Sequence, residues 1–546
     1  MGYTKPGVEV TQEQRSNTPV LTTPELEACI VGHSYYWLDP ASESAIVSGT
    51  VTGGTEFVYT VSGHSDYFDI KGDEQLVVVD LLGISGDAIG SIKHLVYGTD
   101  YTVNSANGTQ ITIKAGATTA SNTYQARIGY RAKNTALSAG VKVLTSSTDI
   151  EDTLGKIVSW NPVAYGAQIA MSNASASIKA LGVAIPSTGT VGDTDVINAI
   201  NNYLPMEEVA VFSAMTQKVT ASDLKAHCDT YSAATEKKER VAFCNPTVGY
   251  TENPKDAGFT NTEKVEKAVA IRDANALINA RRVFSIHPDA GYVAETRHIA
   301  TLNPAFIAAS FAGTIGATFS FSTYNLYAKF AADVTLKGVK YKAGQNIDSA
   351  VFNAILNSGW GGATGNVTVL APVPGYYYCA QSVGQYIGTP VSQPLTNVPG
   401  SGITETFGSQ DVFSETQLNK MAEGGTWIMT QDSPSGPVYS RHQMSTDVTS
   451  VAKREMSITK ALDFTSKFIR KSLKPYIGRY NITPSFLKLV GTVLNGVARY
   501  LAREGYIEDM KVNSIKQDDI SPDTIYVEIE VKVLYPVNYI KVILAF

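Results

Sequence analysis

Between residues 140 and 315 the chain alternates four times between a helical pattern and a short apolar run, and this alternation restricts the possible fold more than any other feature. Helical patterns cover 163–173, 193–203, 222–235 and 264–280, and the apolar runs after them fall at 177–185, 209–212, 240–244 and 283–286. In the first helix Ala164, Ala167, Ala170 and Met171 recur at core spacing, the repeat of an amphipathic helix. Parallel strands need a long crossover, usually a helix, between them. The alternation therefore predicts an α/β layer with a largely parallel sheet. Residues 28–34 read as a further buried strand ending at a glycine turn, Ser222 as the cap of the third helix, and 304–315 as a small-residue helix suited to close packing.

With 546 residues the chain is too long for one core, so two to four domains are expected. Residues 44–135 change character. Short alternating runs at 57–61, 75–79, 101–103, 110–113 and 124–128 are separated by turns such as Asn107-Gly108. This spacing predicts an inserted β-barrel or β-sandwich. The expected layout is an extended N-terminal arm at 1–27, an α/β middle domain from 28–43 and 136–321, the β insertion at 44–135, and a variable connecting segment at 322–414. An α+β domain at 415–535 and a strand arm at 536–546 complete it. Within the variable segment, 336–344 reads as a hairpin and 349–357 as a helix.

The last hundred residues point to assembly. From Ile525 to Val533 every odd position is Ile or Val, with Glu528, Glu530 and Lys532 between them, the period of a strand with one buried face. The run from Asn538 to Phe546 is again apolar and strand-prone. Such a segment carries unpaired backbone groups and invites another chain to pair with it. Two helices precede these runs. The first, 457–473, has Ile458, Ala461, Leu462, Thr465, Ile469 and Leu473 on one face, and Lys460, Lys467, Lys471 and Lys474 as an expected stripe opposite. The second begins at the cap Thr483 with Pro484 behind it and stops at Gly505.

Residues 453–503 hold 11 Lys and Arg against two acids, Glu455 and Asp463, in a chain of net charge −6. The stripe reads as a docking surface for an acidic partner, where charge sets approach and register more than affinity. Few aromatics lie between these charges and the chain is acidic overall, so nucleic acid is not the expected partner.

No catalytic, cofactor or metal site is expected. The seven histidines show no metal-ligand spacing, there is no GxSxG elbow, and the Gly-rich run 359–365 lacks the lysine of a phosphate loop. His227-Cys228 reads as a core cysteine beside a surface histidine. Cys29, Cys228, Cys244 and Cys379 are scattered and expected to be reduced and buried. No signal peptide is expected, and no run approaches the roughly 20 apolar residues of a membrane span.

Four stretches resemble the tail sheath proteins of contractile-tailed bacteriophages. They are Pro6-Gly-Val-Glu-Val10, Leu154–Asn173 with Asn161-Pro-Val-Ala-Tyr-Gly-Ala167 inside it, Leu302-Asn-Pro-Ala-Phe-Ile-Ala-Ala-Ser-Phe-Ala-Gly313, and the run from Val438 to Asp447 followed by Arg454-Glu-Met-Ser-Ile458 and Tyr476-Ile-Gly-Arg479. Glu9 stands where the family pattern has an aromatic, and Ser445-Thr446 where it has two threonines. The resemblance implies a non-enzymatic subunit of six-membered rings stacked helically around an inner tube. It further implies a C-terminal sheath domain facing the tube, with terminal strands exchanged between neighbours. Val8, Glu9 and Val10 would then belong to one exchanged strand, and Tyr539, Ile540, Val542, Ile543, Leu544 and Phe546 to the other. Lys460, Lys467, Arg470, Lys471 and Lys474 are the expected tube contacts. Implied partners are further copies, the tube protein, and baseplate and terminator proteins, in a virion tail assembled in the host cytoplasm, with neither nucleic acid nor membrane. Two alternatives remain: a sheath or surface-array subunit of a related contractile injection system, and an α/β hydrolase-like enzyme with a β accessory domain.

Overall fold

The computed structural model describes residues 25–38, 50–60, 77–88, 92–95, 99–103, 110–133, 137, 139–184, 194–246, 259–311, 314–316, 319–321, 324–357, 366–407, 412–433 and 436–545. Val8, Glu9, Val10, Phe546 and the glycine-rich run 359–365 lie outside them. Two compact units are present: residues 26–459 with 536–546, and residues 1–25 with 460–535.

The first unit is built on an eight-stranded sheet. Its strands are β1 (Ala28–His33), β2 (Lys142–Leu144), β3 (Ile178–Val183), β4 (Val211–Ala214), β5 (Val241–Cys244), β6 (Val283–His287), β7 (Thr426–Thr430) and β8 (Tyr439–Ser440), in the order β2-β3-β1-β4-β5-β6-β7-β8. The six central strands are parallel and the two edge strands antiparallel. Strands buried on both faces read as continuous apolar runs, and β1 shows why. Ala28 and Ile30 enter one core, with the helices Pro162–Ala174 and Tyr376–Gly388. Cys29 and Val31 enter the other, with Asp195–Tyr203 and Ala221–Tyr231. Helices on both faces make the α/β layer that the alternation predicts.

Several local readings change. The third helix is capped by Thr220, whose side chain accepts from the Asp223 amide while Asp223 accepts from Thr220 in return. Ser222 sits one residue inside that helix. A reciprocal pair satisfies two amide donors that Ser222 alone would leave open. Gly32 is not at a turn but within β1, because a Cβ there would lie 2.8 Å from Met215 Cβ. The helix expected to reach 315 spans Pro304–Ser310. β7, inside the stretch read as the C-terminal domain from residue 415, pairs with β6, and all five of its residues are buried.

A four-stranded antiparallel sheet joins Ala290–His298 to Asn366–Pro374, Lys329–Phe330 and Glu405–Phe407. Segments on both sides of the expected boundary at 321 thus share one sheet. Within the insertion, Thr123–Lys133 pairs with Tyr35–Leu38, Thr50–Thr52 and Val77–Ser85, and Gln110–Ile113 pairs with Phe57–Thr60 and Tyr101–Val103.

In the second unit, the helix Pro484–Arg503 packs on the strand Asp509–Gln517, which pairs antiparallel with Ile525–Lys532. Phe468 stacks on Tyr500 with ring centres 5.2 Å apart, and Phe464 meets Tyr506 edge-on at 5.1 Å.

Candidate assembly surfaces

The order β3-β1-β4-β5-β6 reverses direction around β1, and sheets of this kind bind ligands in the crevice outside the carboxyl ends at that reversal. Here the place is occupied. Met215, directly after β4, is fully buried, and its amide donates to Val31 O at 2.7 Å. Its side chain fills the space left by two glycines: a Cβ on Gly166 would stand 2.5 Å from Met215 Sδ. Beyond β4–β6 the polar groups hold one another. Gln217 Nε2 donates to Asn245 Oδ1 at 2.6 Å and to Asp289 O at 2.8 Å, while Asn245 Nδ2 donates to Ile286 O and Pro288 O, both at 2.9 Å.

His227 is buried rather than on the surface. Its Nδ1 lies 2.8 Å from Asn201 Oδ1 and its Nε2 3.3 Å from Arg240 Nη1. A guanidinium can only donate, so Nε2 accepts and the ring proton sits on Nδ1. Burial first, and the Arg240 charge second, push its pKa down to about 3. The four cysteines are buried and none is in a disulfide, and burial pushes Cys29 and Cys244 each up to about 12. A thiol held protonated is a poor nucleophile. Among the described residues no group of three or more His, Cys, Asp or Glu could hold a metal ion, and no helix is long and apolar enough to cross a membrane.

The basic helix spans Met456–Leu473. Lys471 and Lys474 are exposed, and Lys467 and Arg470 are half-buried. Lys460 does not join them: it is fully buried, and burial pushes its pKa down to about 7. The helical spacing of the expected stripe hid this, because the helix is buried all the way round in its first turns, from Met456 to Ala461. Residues 464–503 nevertheless carry eight Lys and Arg and no acid.

The apolar C-terminal runs are left largely uncovered. The odd residues of Ile525–Lys532 are half-buried rather than buried, because this is a two-stranded sheet whose other strand has a single buried residue, Met510. Both outer edges of the hairpin lack a strand partner among the described residues. Residues 538–545, expected as a strand, form none. A strand needs a partner for its amides and carbonyls, and the described residues supply no pairing. Val537, Tyr539, Ile540, Val542, Ile543 and Leu544 are 75–92% exposed.

One residue of this segment is held. Asn538 Nδ2 donates to Glu455 Oε1 at 2.9 Å, in a cleft of about 570 Å³ lined by Glu415, Arg441, His442, Arg454 and Tyr539 among others. Glu455 is fully buried. Burial raises its pKa, but the hydrogen bonds and charges of His442 and Arg454 outweigh that and hold it below the usual glutamate range. In the sequence Glu455 stands out only as one of two acids in a basic stretch, and that rarity is the one signal it carries.

No protein-family model matches the chain, and no curated protein matches it. Several solved chains are similar to it. The sheath complex of an extracellular contractile injection system (PVC), in its contracted state, aligns over 76% of this chain and 88% of its own, at 10% identity and a TM-score of 0.45. The contracted helical sheath of the anti-feeding prophage aligns over 76% and 89%, at 11% identity and 0.45. A sheath tail protein from Desulfitobacterium hafniense aligns over 98% of both chains, at 10% identity and 0.38.

Proposed function

We propose that this chain is a structural, non-enzymatic subunit of a contractile tail sheath. It polymerises as stacked six-membered rings around an inner tube and contracts to drive that tube through a host envelope. The observation that carries the reading is the segment 537–544, whose large apolar side chains are 75–92% exposed in a run with strand composition and no strand partner. Isolated apolar residues on a surface are ordinary, but a contiguous exposed apolar run marks an interaction site. The hairpin Asp509–Gln517/Ile525–Lys532 offers complementary open edges and a half-covered face. A segment from a second copy, paired there, satisfies both. The sequence motifs of the sheath family support the same reading, and the Met215 plug leaves little room for the enzyme alternative.

In this reading Lys467, Arg470, Lys471 and Lys474 face an acidic tube surface, and baseplate and terminator proteins bound the stack, in a virion tail assembled in the host cytoplasm. Exposed charge contacts contribute little each, which suits a state that must let go on contraction.

The test is electron microscopy of the full chain beside a chain lacking 536–546. Striated hollow tubules from the first and none from the second are expected. Tubules from both overturn strand exchange by this segment; compact particles from both, also on co-expression with a tube protein, overturn the sheath.

A further inference from the structure

We infer that Glu455, with His442 and Arg454, is the anchor that fixes where the segment 539–545 leaves the body, so that a second copy meets it at a set place and register; this rests on the strand-exchange reading above. Glu455, Arg454 and His442 are positioning residues in this scheme, and the apolar segment makes the contact itself.

A fully buried carboxylate is costly unless donors surround it. Glu455 is supplied from three directions: His442 Nε2 at 2.9 Å, Arg454 Nε at 3.1 Å, and Gln443 Nε2 at 3.4 Å. The fourth donor, Asn538 at 2.9 Å, comes from 83 residues away in sequence. Asn538 is half-buried while both neighbours, Val537 and Tyr539, are 77–79% exposed. The contact is therefore a single polar pin in an otherwise exposed run. Arg441, bound to Glu415 and to Asn419 Oδ1 at 2.7 Å, shapes the wall of the same cleft.

The geometry gives the pin a consequence. Pinned at 538, the seven residues 539–545 reach at most about 23 Å. Unpinned, the free chain begins after Lys532, and thirteen residues reach about 43 Å. The volume swept grows steeply with that reach, and the effective concentration of the segment at a fixed acceptor falls with it.

Ile543→Cys in the full chain provides a site for a nitroxide label, since the four native thiols are buried. The label reports segment mobility in the unassembled chain, and tubule growth is followed in parallel. Asn538→Asp sets a carboxylate against Glu455; the label is expected to become more mobile and tubule growth to slow at least fivefold. Asn538→Ala, which touches only the segment, is expected to act in the same direction. Asn538→Gln keeps an amide donor for Glu455 Oε1, the oxygen that His442 and Arg454 also reach, and is expected to hold both readouts close to the parent, a rescue by the conservative variant that loss of side-chain bulk alone does not explain. Unchanged mobility in both Asn538→Asp and Asn538→Ala, or an Asn538→Gln chain of parental circular dichroism that is as mobile and as slow to assemble as Asn538→Ala, overturns the anchor. Tubules from the chain lacking 536–546 overturn strand exchange instead, while the label still decides whether the pin exists.

Discussion

The central sheet and the C-terminal segment are equally apolar in sequence and opposite in fate. Every residue of β1 is buried, on both faces, by helices of the same chain. Ile540, Val542 and Leu544 have the same strand chemistry and are at least 75% exposed. The contrast teaches that β propensity states a need for a partner and not where the partner is found. In the sheet each crossover helix brings its cover with it. The segment has no such cover among the described residues, and in the proposed assembly a second copy supplies it.

The comparison breaks hardest at Arg297, in the body. It is fully buried, lies over the Trp160 ring at 4.2 Å, pairs with Glu295 and donates to Ser159 Oγ at 2.7 Å. Arg297→Ala leaves the half-buried Glu295 carboxylate without its cation, with the Ser159 hydroxyl at 3.0 Å as its remaining donor, and a loss of about 3 kcal/mol in urea unfolding of the unassembled chain is expected. A loss under about 1 kcal/mol would show that the body tolerates unpaired groups as the tail does.

Gly384→Ala comes next. Its added Cβ would lie 2.2 Å from Ala170 O, where the helices Pro162–Ala174 and Tyr376–Gly388 meet. Backbone cannot yield as a side-chain tip can, so about 3 kcal/mol is expected. Gly166→Ala meets the flexible Met215 Sδ instead and is expected to cost less.

How far these features were legible follows the same division. Strand–helix alternation located the sheet because local periodicity reports local burial. It could not show that β7, more than 130 residues after β6, joins the same sheet, since pairing partners leave no mark on either run. The basic helix was legible as a helix, but Lys460 was misread, because spacing gives the direction of a side chain and not what stands there. Glu455 was read as part of a charge count; its role depends on Asn538, which no spacing rule connects to it.

A pH test sharpens the comparison through His227. Its pKa, lowered from 6.5 to about 3 in the fold, means that between those values the unfolded chain binds the proton and the folded chain does not. Stability is then complete above pH 6.5 and lost as pH falls. From pH 7 to pH 5 the loss is about 2 kcal/mol. His227→Asn removes this part of the slope whatever it does to stability at pH 7. An unchanged slope in urea midpoints between pH 7 and 5 shows that the ring is protonated in the fold.

The smallest effect on the unassembled chain is expected where the effect on assembly is largest. Serine at Val542 or Ile543, 75% and 92% exposed, should change unfolding of the unassembled chain by less than about 0.5 kcal/mol. Assembly should separate the two. In a strand, alternate residues face opposite ways. Ile540, Val542 and Leu544 then share one face, and Tyr539, Lys541 and Ile543 the other. The first set is wholly apolar and the second contains a lysine, so the first is the face that a second copy buries. Burial of one aliphatic side chain contributes about 1.5–3 kcal/mol. Val542→Ser should therefore weaken tubule formation at least tenfold, measured as the critical concentration by light scattering, and Ile543→Ser markedly less. Equal losses at both positions would mean that the segment docks in some conformation other than a strand, while no loss at either would place the contact between copies elsewhere.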